Sequence, residues 1–163
     1  MNPTESAKAL RILLLEDNPD DHQLVVKTLG EAGLPWAVEC VPDKRGFEQA
    51  LEHGPFAVIL ADFAVPGYDG FAALALARQK CPATPFLFVS GIMGEEQAVA
   101  ALKQGAADYV SKQHLGRLGP AVLGGLRKAH EDAERLRAEK ERIAAEAKFR
   151  TLVEQSLTGI YII

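Results

Sequence analysis

Cysteine, net positive charge and long apolar runs are all scarce in this chain, and each scarcity removes a class of function. Only Cys40 and Cys81 occur in 163 residues. They stand singly, with no C-x-x-C pair and no ligand-spaced companions, so neither a disulfide framework nor a thiolate metal site is expected. They read as ordinary reduced thiols, which points to the cytoplasm. Lysine and arginine total 18 against 22 acidic residues, a formal net charge of −4. No basic field draws such a chain to nucleic acid or to anionic lipid, and neither is expected as a partner. The longest apolar runs, FAVILA and PFLFVSG, fall far short of the roughly 20 residues that a membrane span requires. The opening stretch 1–11 is polar and is followed by the short apolar run ILLL, so no secretory signal pattern is read there.

What is present suffices for an ordinary globular core. The chain is 48% hydrophobic and 25% charged, a balance that argues against wholesale disorder. Short apolar runs at 11–16, 37–41, 57–61, 85–89 and 108–110 alternate with segments of helical period at 20–32, 43–52, 70–79 and 95–104. Gly33 and Pro35, Gly54 and Pro55, Pro82 and Pro85, and Gly105 punctuate the joints between helix and strand. Alternating strands and helices predict a mostly parallel sheet covered on both faces, whose buried strands should be apolar throughout.

From about Leu115 the pattern changes. Val122, Leu126, Ala129, Ala133, Leu136, Lys140, Ile143 and Ala147 follow one another at alternating steps of four and three, a heptad seam with one polar interruption at Lys140. Dense mixed charge flanks the seam. Two readings stand: a solvated single helix, or a parallel two-stranded coil joining two domains in a dimer. After it, FRTLVEQSLTGIYII begins a new apolar pattern.

The most unusual stretch is ILLLEDNPDD at 12–21, where an aliphatic run meets four carboxylates within six positions. Carboxylates so close repel one another unless a cation or a proton intervenes. In a doubly wound sheet the ligand site lies at the carboxyl ends of the strands. Those ends carry Glu16 and Asp17, then Asp62, then Ser90, then Lys112. Each alone reads as a turn residue, a cap or a solvated charge; together they suit phosphoryl transfer. Asp17 and Asp62, a backbone carbonyl and waters would suit an octahedral divalent ion such as Mg²⁺. Asp20 and Asp21, following Pro19, are read as the start of the first helix rather than as ligands.

The stretches LLLEDNPDD, VILADFAVPGYDGF, FLFVSG and DYVSKQHL resemble the acid pair, phosphoacceptor loop, switch hydroxyl and lysine of the two-component response-regulator receiver domain. The resemblance covers roughly 11–126. It implies a CheY-like fold: a doubly wound five-stranded parallel sheet, flavodoxin-like, in the order 2-1-3-4-5, here with a long C-terminal helix. It implies Asp62 as phosphoacceptor, Mg²⁺ held by Asp17 and Asp62 directly, by Glu16 through water and by the Ala64 carbonyl, and phosphoryl oxygens met by Ser90 and Lys112. Tyr109 occupies the position of the switch aromatic. The implied partner is a histidine kinase or phosphotransfer protein. A receiver of this kind would catalyse its own phosphotransfer and dephosphorylation, with any classical enzymatic output beyond residue 163.

Two departures from the family pattern stand out. No methionine precedes Pro66, and Gln113 rather than proline follows Lys112; neither removes a functional atom. Ala64 and Ile92 supply no side chain to orient a hydrolytic water. The tail is similar to the beginning of a PAS sensory domain. The expected organisation is therefore an N-terminal tail at 1–10, a receiver at 11–126, a helical coiled-coil linker at 127–148 and the opening of a PAS-like domain at 149–163. His130, on a charged helix without a kinase-type phosphodonor motif, reads as solvated. A flavodoxin-type phosphate loop would be rich in Ser, Thr and Gly where this one is acidic, and a dehalogenase-type phosphatase needs a D-x-D pair where this chain has EDN. A pseudo-receiver that keeps the fold and serves only for dimerisation is the remaining alternative.

Overall fold

The computed structural model describes residues 9–33 and 35–160. The expected N-terminal tail falls almost wholly outside this range, as do the last three residues of the PAS-like segment. Five parallel strands form the sheet: β1 (Leu10–Leu15), β2 (Trp36–Val41), β3 (Val58–Ala61), β6 (Phe86–Ser90) and β7 (Asp108–Ser111). Their spatial order is β2-β1-β3-β6-β7, which is the order 2-1-3-4-5 expected for five sheet strands. The chain steps outward from β1 to β2 and then returns across β1 to β3. The switch point thus lies between β1 and β3, where Leu15 pairs with Ala61.

The uninterrupted apolar character of the central strands has a direct cause. Leu13, Leu15, Ile59, Phe86 and Phe88 face one way, against α2 (Lys44–Glu52), α3 (Gly70–Lys80) and α4 (Glu95–Lys103), through Phe47, Leu74, Ala77 and Ala101. Ile12, Leu14, Val58, Leu60, Leu87 and Val89 face the other way. They meet Val25 and Leu29 of α1 (Pro19–Glu31) and Leu118, Ala121 and Val122 at the start of α5 (Leu118–Ile160). With both faces covered, each buried Leu, Ile, Val or Phe adds about 1.5–3 kcal/mol, and the inner stretches 12–15, 58–61 and 86–89 are apolar throughout. The edge strand β2 departs from this rule. Trp36, Val38 and Cys40 pack on the core while Ala37 and Glu39 stay exposed, the alternation of a strand with one open face.

Local chemistry sets the helix starts. Asn18 caps α1 by accepting from the N–H groups of Asp20 and Asp21, and Pro19 sits at the first helical position. Asp43 caps α2 and Asp69 caps α3 in the same manner. One feature was absent from the five-strand expectation: β4 (Ala64–Val65) and β5 (Tyr68–Asp69) form a small antiparallel hairpin directly after Asp62. Pro66 and Gly67 make its turn, and Gly67, at φ 73°, takes the left-handed conformation that the third residue of a type II turn requires. Two-residue strands carry no readable periodicity.

After β7 the chain forms a 3₁₀ segment, Lys112–Arg117, kinked at His114, before α5 begins. The chain forms two compact units, one ending at Ala129 and the other beginning at His130. The helix continues without interruption through 149–160. Among the described residues no helix is long and apolar enough to cross a membrane.

Candidate functional site

The site is assembled at the carboxyl ends of β1, β3, β6 and β7. The Asp62 N–H donates to the Leu15 carbonyl (2.9 Å) and the Glu16 N–H to the Val41 carbonyl (3.0 Å), so sheet bonding continues one residue past the strands and fixes both acids. Carboxylate oxygens of Glu16, Asp17 and Asp62 lie within 4.8 Å of one another. Glu16 is 3% and Asp62 6% exposed, whereas Asp17 is open to solvent. Three hard oxygen donors at this spacing, one of them facing solvent, fit a divalent cation of the Mg²⁺ type that keeps several waters.

Lys112 supplies the counter-charge. Its Nζ lies 2.8 Å from Glu16 Oε2, 2.7 Å from Asp21 Oδ2 and 2.9 Å from Asp62 Oδ2. The crowding of acids after β1 is thus offset by an ammonium from the far edge of the sheet. Burial alone would lower the Lys112 pKa, but its hydrogen bonds to Asp21, Glu16 and Asp62 outweigh that and raise it well above the usual lysine value. Burial pushes the Glu16 carboxyl up. The Lys112 hydrogen bond and the Asn18 N–H, 3.0 Å from Oε1, offset part of this, and the neighbouring Asp62 charge adds to it.

The remaining residues sit around this core. Asp62 Oδ1 accepts from the Ala64 N–H at 3.2 Å, which ties the loop after β3 to the carboxylate. Gly70 lies under that loop: a Cβ there would come 2.6 Å from Phe63 Cδ2 and 3.0 Å from the Phe63 carbonyl oxygen. Ser90 ends β6 fully buried, its Oγ accepting from the Ile92 N–H at 3.5 Å. Tyr109 is half-buried beside Phe88 in the β6–β7 register, and its hydroxyl donates to the Met93 carbonyl at 3.5 Å.

Glu16, Asp17, Asp62 and Lys112 therefore converge as expected, with Ala64 bonded to Asp62. Ser90 and Tyr109 occupy the strand positions assigned to them. Asp21 is the residue that sequence reasoning passed over. It does begin α1, as expected, but its carboxylate also reaches Lys112. A signal existed: Asp21, Val25 and Leu29 are spaced by four, and the latter two are the buried residues of α1, so Asp21 heads the inward stripe of its helix.

The sequence profile of the response regulator receiver domain matches residues 12–122. The chain belongs to that family. Among relatives of the receiver family, the transcriptional regulatory protein TcrA of Mycobacterium tuberculosis H37Rv is 33% identical over 103 residues, covering 63% of this chain and 40% of its own. The response regulator protein PilR of Pseudomonas aeruginosa is 30% identical over 125 residues, covering 76% of this chain and 28% of its own. The chain thus spans less than half the length of these two relatives. Of solved receivers, the signal receiver domain of an HD domain-containing protein from Pseudomonas fluorescens Pf-5 superposes with a TM-score of 0.70. It is 23% identical and covers 83% of this chain and 99% of that one, a likeness of fold.

Proposed function

We propose that this receiver accepts a phosphoryl group on Asp62 from a histidine kinase or phosphotransfer protein in a cytoplasmic two-component relay. The observation that carries the reading is the nearly buried Asp62 carboxylate, flanked within 4.8 Å by oxygens of Glu16 and Asp17 and bonded at 2.9 Å to Lys112. Glu16, Asp17, Asp21 and Asp62 gather about the single ammonium of Lys112, so negative charge stays in excess at the buried Asp62.

In the transfer, an Asp62 oxygen forms the bond to phosphorus while the donor's P–N bond breaks, its electron pair staying on the imidazole nitrogen. The Ala64 N–H orients the Asp62 carboxylate. Lys112 neutralises charge on the phosphoryl oxygens, and the Ser90 hydroxyl donates to one of them. Glu16, Asp17, Asp62 and the Ala64 carbonyl would hold Mg²⁺, which when bound supplies electrostatic stabilisation of the transferring group. The new dianion draws Ser90 toward it, and Tyr109 turns into the space released, biasing the surface of α4, β7 and α5.

Further parts of the reading concern α5. Its seam pairs two copies of the chain in a homodimer, and 149–163 opens a PAS-like domain that relays the signal to an output module. Incubation with a small phosphodonor or beryllofluoride and Mg²⁺, beside Asp62→Ala, tests the phosphoacceptor reading by mass and by intrinsic fluorescence. Asp62-dependent and Mg²⁺-dependent modification is expected. A folded wild type that stays unmodified would overturn the reading in favour of the dimerising pseudo-receiver.

A further inference from the structure

Residues 133–147 lie within α5 in the second compact unit. Along one side run Ala133, Leu136, Lys140, Ile143 and Ala147, and the two large apolar side chains, Leu136 and Ile143, are 57% and 54% exposed. The charges beside this stripe are not evenly engaged. His130 pairs with Glu134, and Arg142 with Glu139 and Glu146. Asp132, Arg137 and Lys140 make no ion pair among the described residues.

We infer that these three charges set the geometry of a two-stranded coil: a second copy of this chain, parallel and without stagger, with Asp132 of each helix facing Arg137 of the other. The inference rests on the dimer reading above and specifies its partner surface. In a two-stranded parallel coil, the residue just before one seam position meets the residue five places further along the partner, just after a seam position. Asp132 precedes Ala133 and Arg137 follows Leu136, so the unstaggered pair forms two symmetric Asp132–Arg137 bridges. Each Lys140, a seam position itself, packs beside the partner's Glu139. The polar interruption of the seam then has an acid opposite it.

Other arrangements lose these contacts. In an antiparallel pair with Ala133 against Ile143 and Leu136 against Lys140, Arg137 meets Arg137, Glu139 meets Glu139 and each Asp132 meets the other helix's Glu146, four like-charge contacts. A parallel pair staggered by one heptad puts Asp132 opposite Ala144 on one side and His130 on the other. Charge complementarity therefore selects both direction and register.

The test uses the full chain with Cys40→Ala and Cys81→Ala as background, followed by sedimentation. Asp132→Arg and Arg137→Asp should each weaken dimerisation at least tenfold, and an equimolar mixture of the two should associate as tightly as the unsubstituted chain. Ile143→Cys in the same background should oxidise to a covalent dimer, because seam residues at equal positions adjoin only in the parallel, unstaggered pair. A dimer that both charge variants leave unchanged and that Ile143→Cys fails to cross-link would overturn this geometry while sparing the dimer reading. A monomer at every concentration would overturn both.

Discussion

Three carboxylates around one ammonium make Lys112 the residue on which the site's stability turns. Removing it in Lys112→Ala leaves Glu16 and Asp62 buried without a counter-ion, and breaking such an arrangement costs about 3–5 kcal/mol. Urea denaturation without divalent ions should show a loss of that size. Asp21→Asn should cost below about 1 kcal/mol in the same measurement, because the Asp21 carboxylate is 31% exposed and a solvated pair contributes little. The loop itself depends on Gly70. Gly70→Ala would press a methyl group into the backbone of Phe63; a loss of about 1–3 kcal/mol in chemical denaturation is expected, together with slower modification of the adjoining Asp62 by a small phosphodonor. The participation of Asp21 was not legible as such, since it depends on a lysine 91 positions away. The Asn18 cap is a contrasting case, since it acts on the N–H groups of Asp20 and Asp21 within four residues of sequence.

Among the elements, α5 has two roles divided along its length. Its first turns complete the core through Leu118, Ala121, Val122 and Leu126, while the side chains of 131–158 are all exposed. A chain ending at residue 129 should keep its far-ultraviolet spectrum per receiver residue and its cooperative melt. One ending at residue 117 should lose cooperative unfolding, because it uncovers Leu14, Val58, Leu60 and Leu87 on one face of the sheet. The central strands were readable because two covered faces demand unbroken apolar sequence. The β4–β5 hairpin was not, because a two-residue strand has no period and only Pro66-Gly67 marked its turn.

At the scale of the whole molecule, protons couple to folding. Burial raises the pKa of the Cys40 and Cys81 thiols and of the Tyr68 hydroxyl, and Lys112 is raised by its carboxylates. Each group holds its proton more tightly folded than unfolded, so its contribution is intact below the unfolded value and is lost as pH rises through the folded one. The denaturation midpoint should fall once pH passes about 9, where unfolded thiols ionise. Cys40→Ala with Cys81→Ala should postpone that fall by about one pH unit, to where Tyr68 and Lys112 take over. Mg²⁺ at about 100 times its dissociation constant should add about 2.7 kcal/mol of stability, and Asp17→Asn should abolish most of that gain.

Sequence alone determined the alternation of strand and helix, the acids, hydroxyl and lysine at the strand ends, and the seam of α5. Each is written in local spacing: period two or near four, a cap, a run bounded by glycine or proline. Tertiary structure alone decided that Lys112 would stand among Glu16, Asp21 and Asp62, that the inward stripe of α1 would bring an acid to it, and that Gly70 would leave room for Phe63. Those facts arise because the parallel strands β1, β3 and β7 end at one edge of the sheet, where residues far apart in the chain share a few ångströms and their charges must balance.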